Sequence, residues 1–231
     1  SWTEDFAAAD GAVWKTFDDA RRPDAPLEKS AVARAILSSL PEGSLLAIGN
    51  SLPVREIDSF CPGWLADVPV WSQKGANGID GLVSGAAGAA MAHGGPATAY
   101  IGDLAFLHDL HGLAAARRIE TPFVVVVAQN DGGRIFEQIP IAEAPGVENG
   151  MLALWTTPHG LDLAHAALLF NLGYRRVESE SALREALLEA HGTNGCTIIE
   201  AVVPPSGALA EHRRFVEAVA ERLPAEGKAE P

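Results

Sequence analysis

The sequence has 231 residues, 48% of them hydrophobic and only 6% aromatic, enough for one large α/β domain with a core of Ala, Val and Leu. The formal net charge of −13 argues against nucleic acid or an anionic membrane as a partner, so an anionic ligand would need locally placed cations or a metal. Cys61 and Cys196 do not make a disulfide framework, no apolar run approaches the ~20 residues of a membrane span, and no signal peptide is visible. We therefore expect a reduced, cytoplasmic setting.

Hydrophobic periodicity predicts the elements and the domain. Residues 3–20 read as an amphipathic helix ended by a Pro-rich break, and we interpret 1–27 as a helical arm or linker. Strand-like and helix-like runs then alternate, which predicts one domain over 28–223 before a flexible tail at 224–231. Predicted strands are 44–49, 68–71, 97–102, 122–128, 173–177 and 195–203; predicted helices are 28–39, 77–93, 109–118, 158–171, 179–191 and 207–222, with a loop or short-helix lid at 137–157. This order predicts a three-layer, doubly wound α/β fold with a mainly parallel six-stranded sheet.

Two polar residues stand where predicted strands end. Asp103 directly follows the run that ends in Ile101-Gly102, and Asn130 lies in a Gly-rich turn after Phe123-Val-Val-Val-Val127. Ligands of open α/β sheets bind outside the carboxyl ends of the strands, so both side chains should reach one crevice. A carboxylate, a carboxamide and the carbonyls of the turn are hard oxygen donors that suit Mg²⁺, which also takes phosphate oxygens. The pair predicts a magnesium–diphosphate site; the alternative is the ordinary use of Asp and Asn in caps and turns.

Other motifs have weaker chemical interpretations. Residues 75–81 could be a dinucleotide-binding loop, but the close glycine pair of that motif is absent. Residues 49–53 resemble the nucleophile elbow of hydrolases, except that proline stands at the position of its second glycine. The alternative, structural interpretation of these residues is the N-terminus of a helix. His108 and His111 have the spacing of metal ligands, but without a third ligand in evidence we expect ordinary histidines. His159, beside a predicted helix start, could still face a ligand.

Five segments together resemble, in order, the C-terminal third of the 2-succinyl-5-enolpyruvyl-6-hydroxy-3-cyclohexene-1-carboxylate synthase family, within the thiamine diphosphate-dependent enzymes. The segments are Gly49-Asn-Ser-Leu-Pro-Val-Arg-Glu-Ile-Asp58, Gly75-Ala-Asn-Gly-Ile-Asp-Gly81, Gly102-Asp-Leu104 with His108-Asp109, Asn130-Asp-Gly-Gly-Arg-Ile-Phe136 and Thr157-Pro-His-Gly-Leu-Asp162. The resemblance covers about residues 28–220. Gly-Asp-Leu in place of Gly-Asp-Gly, with the Gly-Asn-Ser-Leu...Arg run and the Ile-Phe pair, is typical of this family within its superfamily.

The resemblance implies an activity in menaquinone biosynthesis. The family decarboxylates 2-oxoglutarate and adds the succinyl-semialdehyde unit to isochorismate, with thiamine diphosphate and Mg²⁺ or Mn²⁺. It also implies a pyrimidine-binding domain of the same parent protein, in a homo-oligomer (a dimer or a dimer of dimers), whose activating Glu is not in this chain. We therefore expect the 231-residue chain to be inactive alone. Two alternatives stay open: an acetolactate-synthase-like 2-oxo acid carboligase and a non-catalytic diphosphate-binding module.

The same resemblance implies roles for individual residues. Asp103, Asn130 and the main-chain carbonyl of Gly132 would hold the metal. Ile79 would be the apolar wedge beneath the cofactor, whose contacts are implied at Asn50, Ser51, Asn77, Gly78, Ile79, Gly102, Leu104 and Ala105. The substrate residues implied are the cations Arg55 and Lys74 and the apolar wall of Ile135 and Phe136 against the isochorismate ring.

The chain departs from the family pattern at four positions. Ala105 stands where Ser or Thr is usual, Lys74 replaces an Arg, Gln129 replaces the first Asn of an Asn-Asn pair, and Asn77 often corresponds to Ser. At 74 a point charge takes the place of a bidentate guanidinium. None of the four removes an implied metal ligand.

Overall fold

The computed structural model describes residues 1–62, 68–139, 142, 147, 150–205 and 208–222, without the side chains of 208 and 209. Within these residues the strands are β1 (Leu45–Ile48), β2 (Val70–Trp71), β3 (Ala97–Gly102), β4 (Pro122–Gln129), β5 (Gly173–Val177) and β6 (Gly195–Val202). All pair in parallel, in the order β2-β1-β3-β4-β6-β5. The predicted fold class and the six predicted strands are confirmed.

The described helices cover both faces of this sheet. They are α1 (Trp2–Ala20), α2 (Lys29–Ser39), α3 (Leu52–Phe60), α4 (Leu82–His93), α5 (Asp103–His108), α6 (Leu113–Ala116), α7 (Met151–Thr156), α8 (Ala164–Phe170), α9 (Glu180–His191) and α10 (Ala208–Ala220). Short 3₁₀ helices span Leu110–Gly112 and Arg134–Gln138. None of the described helices is long and apolar enough to cross a membrane.

The core has two halves, one on each face of the sheet. Along β4, Val125 and Val127 pack on the face covered by α4, whereas Val124 and Val126 pack on the face covered by α2 and α9. Because side chains alternate along a strand, an unbroken run of valines supplies both halves at once. The result is three layers, with the sheet in the middle.

Helix boundaries depart from the periodicity in four places. The predicted helix 158–171 begins only at Ala164, because residues 157–162 form a loop in which Thr157 and Gly160 have positive φ (43° and 58°). The predicted helix 77–93 begins only at Leu82, because residues 75–81 form a loop that ends at Gly81 with φ +67°. The predicted helix 109–118 is a 3₁₀ turn followed by the four-residue α6, and the six residues of α5 lie just before it. Helix α3 was predicted only as a helix start, with Pro53 in its first turn.

The predicted arm is fully described, the predicted lid only in part, and the predicted tail not at all. Helix α1 lies against α10, where the rings of Phe17 and Phe215 stack with centroids 3.8 Å apart. The predicted tail 224–231 lies outside the described residues, as do 140–141, 143–146 and 148–149 of the predicted lid.

The order of the strands places a crevice between β1 and β3. The chain runs from β1 outward to β2 and then returns to the other side of β1 as β3. Such a reversal is a topological switch point, where connections leave in opposite directions and a ligand crevice opens at the carboxyl edge. The residues that follow β1 (Asn50 and Ser51) and β3 (Asp103) flank this crevice.

Candidate functional site

Asp103 is the buried carboxylate at the carboxyl end of β3 and the first residue of α5, with 2% of its surface exposed. Its Oδ2 accepts hydrogen bonds from the main-chain N–H groups of Asn130 (3.1 Å) and Gly132 (2.9 Å). Its Oδ1 accepts from the N–H of Leu104 at 2.6 Å. The structure therefore brings together the turn after β4 and the residue after β3, as the strand-end argument expects.

Asn130 presents an unsatisfied oxygen at the same place. Its side chain is 6% exposed, and Oδ1 has no hydrogen-bond partner among the described residues. A buried acceptor without a partner costs about 1–3 kcal/mol, which a cation beside it would relieve. One carboxylate, one amide oxygen and a main-chain carbonyl form a donor set that fits Mg²⁺ or Mn²⁺. Groups of three or more His, Cys, Asp or Glu arranged to hold a metal do not occur in the described part of the chain.

Gly132 completes this set and cannot be another residue. Its φ is +123°, and an added Cβ would lie 2.1 Å from the carbonyl oxygen of Thr156. Its own carbonyl accepts from the N–H of Arg134 at 2.9 Å, which leaves one lone pair for another partner. The glycine therefore permits a tight turn whose carbonyl can still face a cation.

Arg134 fixes the shape of the turn after β4. Its guanidinium donates to the carbonyls of Asn130 (3.1 Å, from Nε) and Asp131 (2.9 Å, from Nη2), and its Nη1 donates to Glu137 at 2.8 Å. Two carbonyls held by one planar group leave the Asn130 turn little freedom. Arg134 was not among the predicted site residues, although it lies inside the quoted Asn130–Phe136 run.

The second half of the crevice is the loop between β2 and α4. The amide nitrogen of Asn50 donates to the carbonyls of Gln73 (2.7 Å) and Gly78 (3.1 Å). The carboxylate of Asp80 accepts from the N–H groups of Ala76 and Asn77, both at 3.1 Å. Asn50 thus joins the end of β1 to this loop, and Asp80 fixes the loop from within.

Asp80 and Gln73 are site residues that the sequence analysis missed. Gln73 donates to the carbonyls of Asp80 (3.1 Å) and Gly81 (2.8 Å) just before α4. The spacing of Asp80 three residues after Asn77 is a usual signal of a side chain that caps its own turn, and it could have indicated Asp80. No comparable local signal exists for Gln73, because its partners lie seven and eight residues away.

Ser51 has a strained main chain at the mouth of the crevice. It is a non-glycine residue with φ 70° and ψ −126°, and its carbonyl accepts from the Nη1 of Arg55 at 2.7 Å. Strain of this kind costs about 1–3 kcal/mol and is concentrated at functional sites. Within the described residues the Ser51 hydroxyl has no hydrogen bond to a histidine, so the hydrolase interpretation lacks its general base.

The residues predicted to face the substrate are partly brought together. Phe136 is 41% exposed on the 3₁₀ helix 134–138, and a Cβ on Gly133 would come 3.2 Å from its ring and 3.4 Å from Leu104. Ile79 is half-buried and packs against the core beneath α4. In contrast, Lys74 is exposed and makes no hydrogen bond to any described residue.

Arg55 borders a cavity of about 170 Å³, which reaches Lys29, Glu56 and Gln138. The Lys29 amine is buried, lacks a hydrogen-bond partner among the described residues, and has a pKa lowered by burial. Burial also raises the pKa of Glu56 to about 7, although the hydroxyl of Tyr100 donates to its carboxylate. The sequence analysis missed this cluster because its members come from α2, α3 and β3.

The loop before α8 closes the metal side of the crevice. The carboxylate of Asp131 accepts from the N–H groups of Gly160 (2.8 Å) and His159 (2.9 Å), and these hydrogen bonds lower the pKa of Asp131. The imidazole of His159 is thereby placed 3.4 Å (Nε2) from Oδ2 of Asp103. His108 and His111, by comparison, are exposed.

The chain matches a protein family over more than half its length. The family described as thiamine pyrophosphate enzyme, C-terminal TPP binding domain, matches residues 70–201. Proteins named 2-succinyl-5-enolpyruvyl-6-hydroxy-3-cyclohexene-1-carboxylate synthase are also similar. The one from Sorangium cellulosum is 45% identical over 207 residues, which cover 88% of this chain and 33% of that protein. The one from Myxococcus xanthus is 38% identical over 226 residues, which cover 96% of this chain and 38% of that protein.

Solved structures share the fold at low sequence identity. Benzoylformate decarboxylase from Polynucleobacter necessarius superposes with a TM-score of 0.67 at 20% identity, covering 80% of this chain and 35% of that one. A putative thiamin diphosphate-dependent enzyme from Mycobacterium smegmatis gives 0.62 at 22% identity, covering 80% and 34%. The chain spans about a third of the length of the curated relatives that it matches.

Proposed function

Because the chain belongs to the family of thiamine pyrophosphate enzymes as their C-terminal TPP-binding domain, we propose that it is the diphosphate-binding domain of a menaquinone-pathway carboligase. The proposed reaction decarboxylates 2-oxoglutarate and adds the succinyl-semialdehyde unit to isochorismate. Support comes from the names of relatives that are 36–45% identical over most of this chain. The five sequence segments quoted above lie in the same order as in that family.

The observation that carries the proposal is the pairing of Asp103 with Asn130. An anchored carboxylate and an unpartnered amide oxygen, both buried, meet at the carboxyl edge of the sheet. Because the chain has a net charge of −13, a diphosphate at this edge needs a local positive charge, which a divalent cation would supply. Asp103, Asn130 and the Gly132 carbonyl would hold Mg²⁺ or Mn²⁺.

The other predicted residues would hold and orient the cofactor and the substrates. Thiamine diphosphate, when bound, supplies the electron sink that decarboxylation of a 2-oxo acid requires. Cofactor contacts are assigned to Asn50, Ser51, Asn77, Gly78, Ile79, Gly102, Leu104 and Ala105. Their common feature is position at the carboxyl edge, since they lie in the loops after β1 and β2 and at the junction of β3 with α5.

Substrate recognition would come from the cationic and apolar rims of the crevice. Both proposed substrates carry two carboxylates, which Arg55 and Lys74 would bind, while Ile135 and Phe136 would pack against the isochorismate ring. An exposed phenylalanine next to the crevice supports this assignment, because 41% of its surface is open to a ligand. Lys74, exposed and without a hydrogen bond to a described residue, is free to take a carboxylate.

The proposed enzyme requires a second domain. A pyrimidine-binding domain of the same parent protein, with its activating Glu, would complete the site across a homo-oligomer interface. The chain's span of about a third of its relatives' length agrees with a division of the site between domains. In this arrangement the present chain supplies the metal and diphosphate half.

The test is consumption of 2-oxoglutarate by the full-length protein with thiamine diphosphate and Mg²⁺, with and without isochorismate. We expect isochorismate-dependent consumption that Asp103→Ala abolishes. Glu189→Ala, which removes a carboxylate exposed on α9, is the matched control and should leave the rate unchanged. Consumption of pyruvate instead would replace the proposed reaction by an acetolactate-type one. Consumption of neither acid by a folded protein would indicate the non-catalytic module.

A further inference from the structure

His159 is a buried histidine with one ring nitrogen in use and one unpartnered. Its side chain is 8% exposed, and Nδ1 accepts from the N–H of Leu161 at 3.0 Å. An accepting Nδ1 assigns the ring proton to Nε2. Among the described residues Nε2 has no hydrogen-bond acceptor, and the atom lies 3.4 Å from Oδ2 of Asp103. The ring therefore places an unused N–H beside the carboxylate assigned to the metal, near hydrogen-bonding distance but without a formed hydrogen bond.

The position of this ring is set by two loops tied together. Asp131, in the turn after β4, accepts from the main-chain N–H groups of His159 and Gly160 at 2.9 and 2.8 Å. The N–H of Gly133, in the same turn, donates to the carbonyl of Thr156 at 2.6 Å. These bonds hold the backbone on both sides of residue 158, and the contact of the Leu161 N–H with Nδ1 restrains the ring itself beside Asp103.

The two oxygens of Asp103 have different surroundings. Oδ2 accepts from the N–H groups of Asn130 and Gly132 and faces the Nε2 of His159. Among the described residues, Oδ1 accepts only from the N–H of Leu104. The carboxylate is therefore held through Oδ2, and Oδ1 keeps a free lone pair for a cation. Carboxylate ligands of metals are commonly oriented by hydrogen bonds of this kind.

We propose that His159 is a positioning residue for Asp103: its Nε2–H, pre-set by the Leu161 contact, holds Oδ2 so that Oδ1 faces the divalent cation of the diphosphate site. This inference rests on the proposed function, because it needs Asp103 to be a metal ligand. Loss of such an outer contact lowers metal affinity about 10–100-fold in comparable sites. The histidine acts through Asp103 and touches neither substrate nor reacting atoms.

A purely structural role for the imidazole would work through Nδ1 and Leu161, and two substitutions separate the roles. His159→Gln keeps an N–H donor near the position of Nε2 but loses the Nδ1 acceptor, whereas His159→Leu loses both. Both variants lack the acceptor for the Leu161 N–H, so they differ only in whether the side chain at 159 can donate to Asp103. His159→Ala is a second variant without a donor, should His159→Leu fail to fold.

The experiment is a Mn²⁺ titration of the full-length protein, with thiamine diphosphate present, followed by the EPR signal of free Mn²⁺. We expect His159→Leu and His159→Ala to bind Mn²⁺ about 10–100-fold more weakly than wild type, and His159→Gln to remain within about three-fold. Wild-type affinity in the donor-free variants, or equal weakening in His159→Gln, overturns the inference. Asp103→Asn is titrated in parallel: if it binds Mn²⁺ as wild type does, the proposed metal site itself is wrong, whatever His159 does.

Discussion

Gly132 has a main-chain conformation and close packing that only glycine can accommodate. The left-handed φ of +123° excludes most side chains, and the Thr156 carbonyl lies where a Cβ would be. The same residue donates its N–H to Asp103, so a shift of its backbone disturbs the proposed metal site directly. Stability and binding are therefore coupled at this position.

Gly132→Ala tests that coupling. We expect it to destabilise the chain by about 1–3 kcal/mol, since the strained φ and the collision add, and to weaken Mn²⁺ binding as well. The measurement is urea unfolding, with the free energy of unfolding extrapolated to water. Gly88→Ala is the matched control in α4, where an added Cβ meets no atom within 4 Å. That change should stabilise by about 0.5–1 kcal/mol; a Gly132→Ala variant as stable as wild type would contradict the argument.

Single residues also show where sequence reasoning stops. The meeting of Asp103 and Asn130 could be predicted, because parallel strands put their carboxyl ends at one edge. The pairing of His159 with Asp103 could not, since residues more than fifty positions apart meet only through the particular path of the intervening loops. For the same reason, the sequence indicated that His159 could face a ligand without identifying the Asp103 carboxylate it faces.

At the scale of elements, α3 and β3 share a buried ionisable pair. Glu56 on α3 is 4% exposed, accepts from the hydroxyl of Tyr100 on β3, and has Lys29 and Glu211 as its charged neighbours. Burial disfavours the charged carboxylate and raises the pKa of Glu56 from 4.5 to about 7. The folded chain therefore holds this proton more tightly than the unfolded chain does.

The sign of the resulting pH dependence follows from linkage. A carboxyl whose pKa is raised by folding contributes stability that is fully present below 4.5 and is lost as the pH rises through about 7. Between pH 5 and pH 8 the loss is about 2 kcal/mol, at 1.4 kcal/mol for each pKa unit. Glu56→Gln keeps an acceptor for Tyr100 but cannot titrate. In this variant the part of the pH dependence of the free energy of unfolding that comes from Glu56 should therefore be absent.

Urea unfolding at pH 5, 6.5 and 8 measures the effect. We expect the stability of Glu56→Gln relative to wild type to rise steadily with pH over this range. Glu189→Gln, at an exposed position on α9, should run parallel to wild type. If the Glu56→Gln and wild-type curves also run parallel, Glu56 does not titrate as described.

Elements differ in how well the sequence predicts them. Strand β4 was predicted to within one residue because it is a continuous apolar run buried on both faces, whereas the predicted strand 68–71 is only Val70–Trp71, at the edge of the sheet. The short helices around residues 103–116 were not predicted, since α5 has six residues and α6 four, too few for a helical period to show. The start of α4 was placed too early because residues 75–81 are held as a loop, in part by Asn50, which reaches the carbonyl of Gly78 from 28 residues away.

At the scale of the whole molecule, the crevice between β1 and β3 is the consequence of strand order. The loops after β1 and β2, the start of α5 after β3 and the turn after β4 converge there, and each brings polar groups to the crevice. The sequence predicted this convergence, since alternating strands and helices dictate a parallel sheet. It could not predict the cavity beside Arg55, whose walls come from α2, α3, α10 and the 3₁₀ helix 134–138.

The 231-residue chain should be inactive by itself. The proposed site needs a pyrimidine-binding domain for the other half of the cofactor, and the chain spans about a third of its relatives' length. The measurement is 2-oxoglutarate consumption by the purified chain with thiamine diphosphate, Mg²⁺ and isochorismate, beside the full-length protein as positive control. Turnover by the chain alone, in a preparation free of the longer protein, would refute the division of the site between domains.

We propose that the carboxyl ends of β3 and β4 hold a divalent cation together with a diphosphate. Locating the cation in a crystal is the strongest test of this proposal. The measurement is the anomalous scattering of Mn²⁺ in crystals of the full-length protein grown with thiamine diphosphate. We expect one Mn²⁺ peak within about 2.0–2.3 Å of Asp103 Oδ1, Asn130 Oδ1 and the Gly132 carbonyl oxygen, with its other ligands from diphosphate and water. A Mn²⁺–diphosphate peak bound elsewhere, with Asn130 Oδ1 still unpartnered, would contradict it.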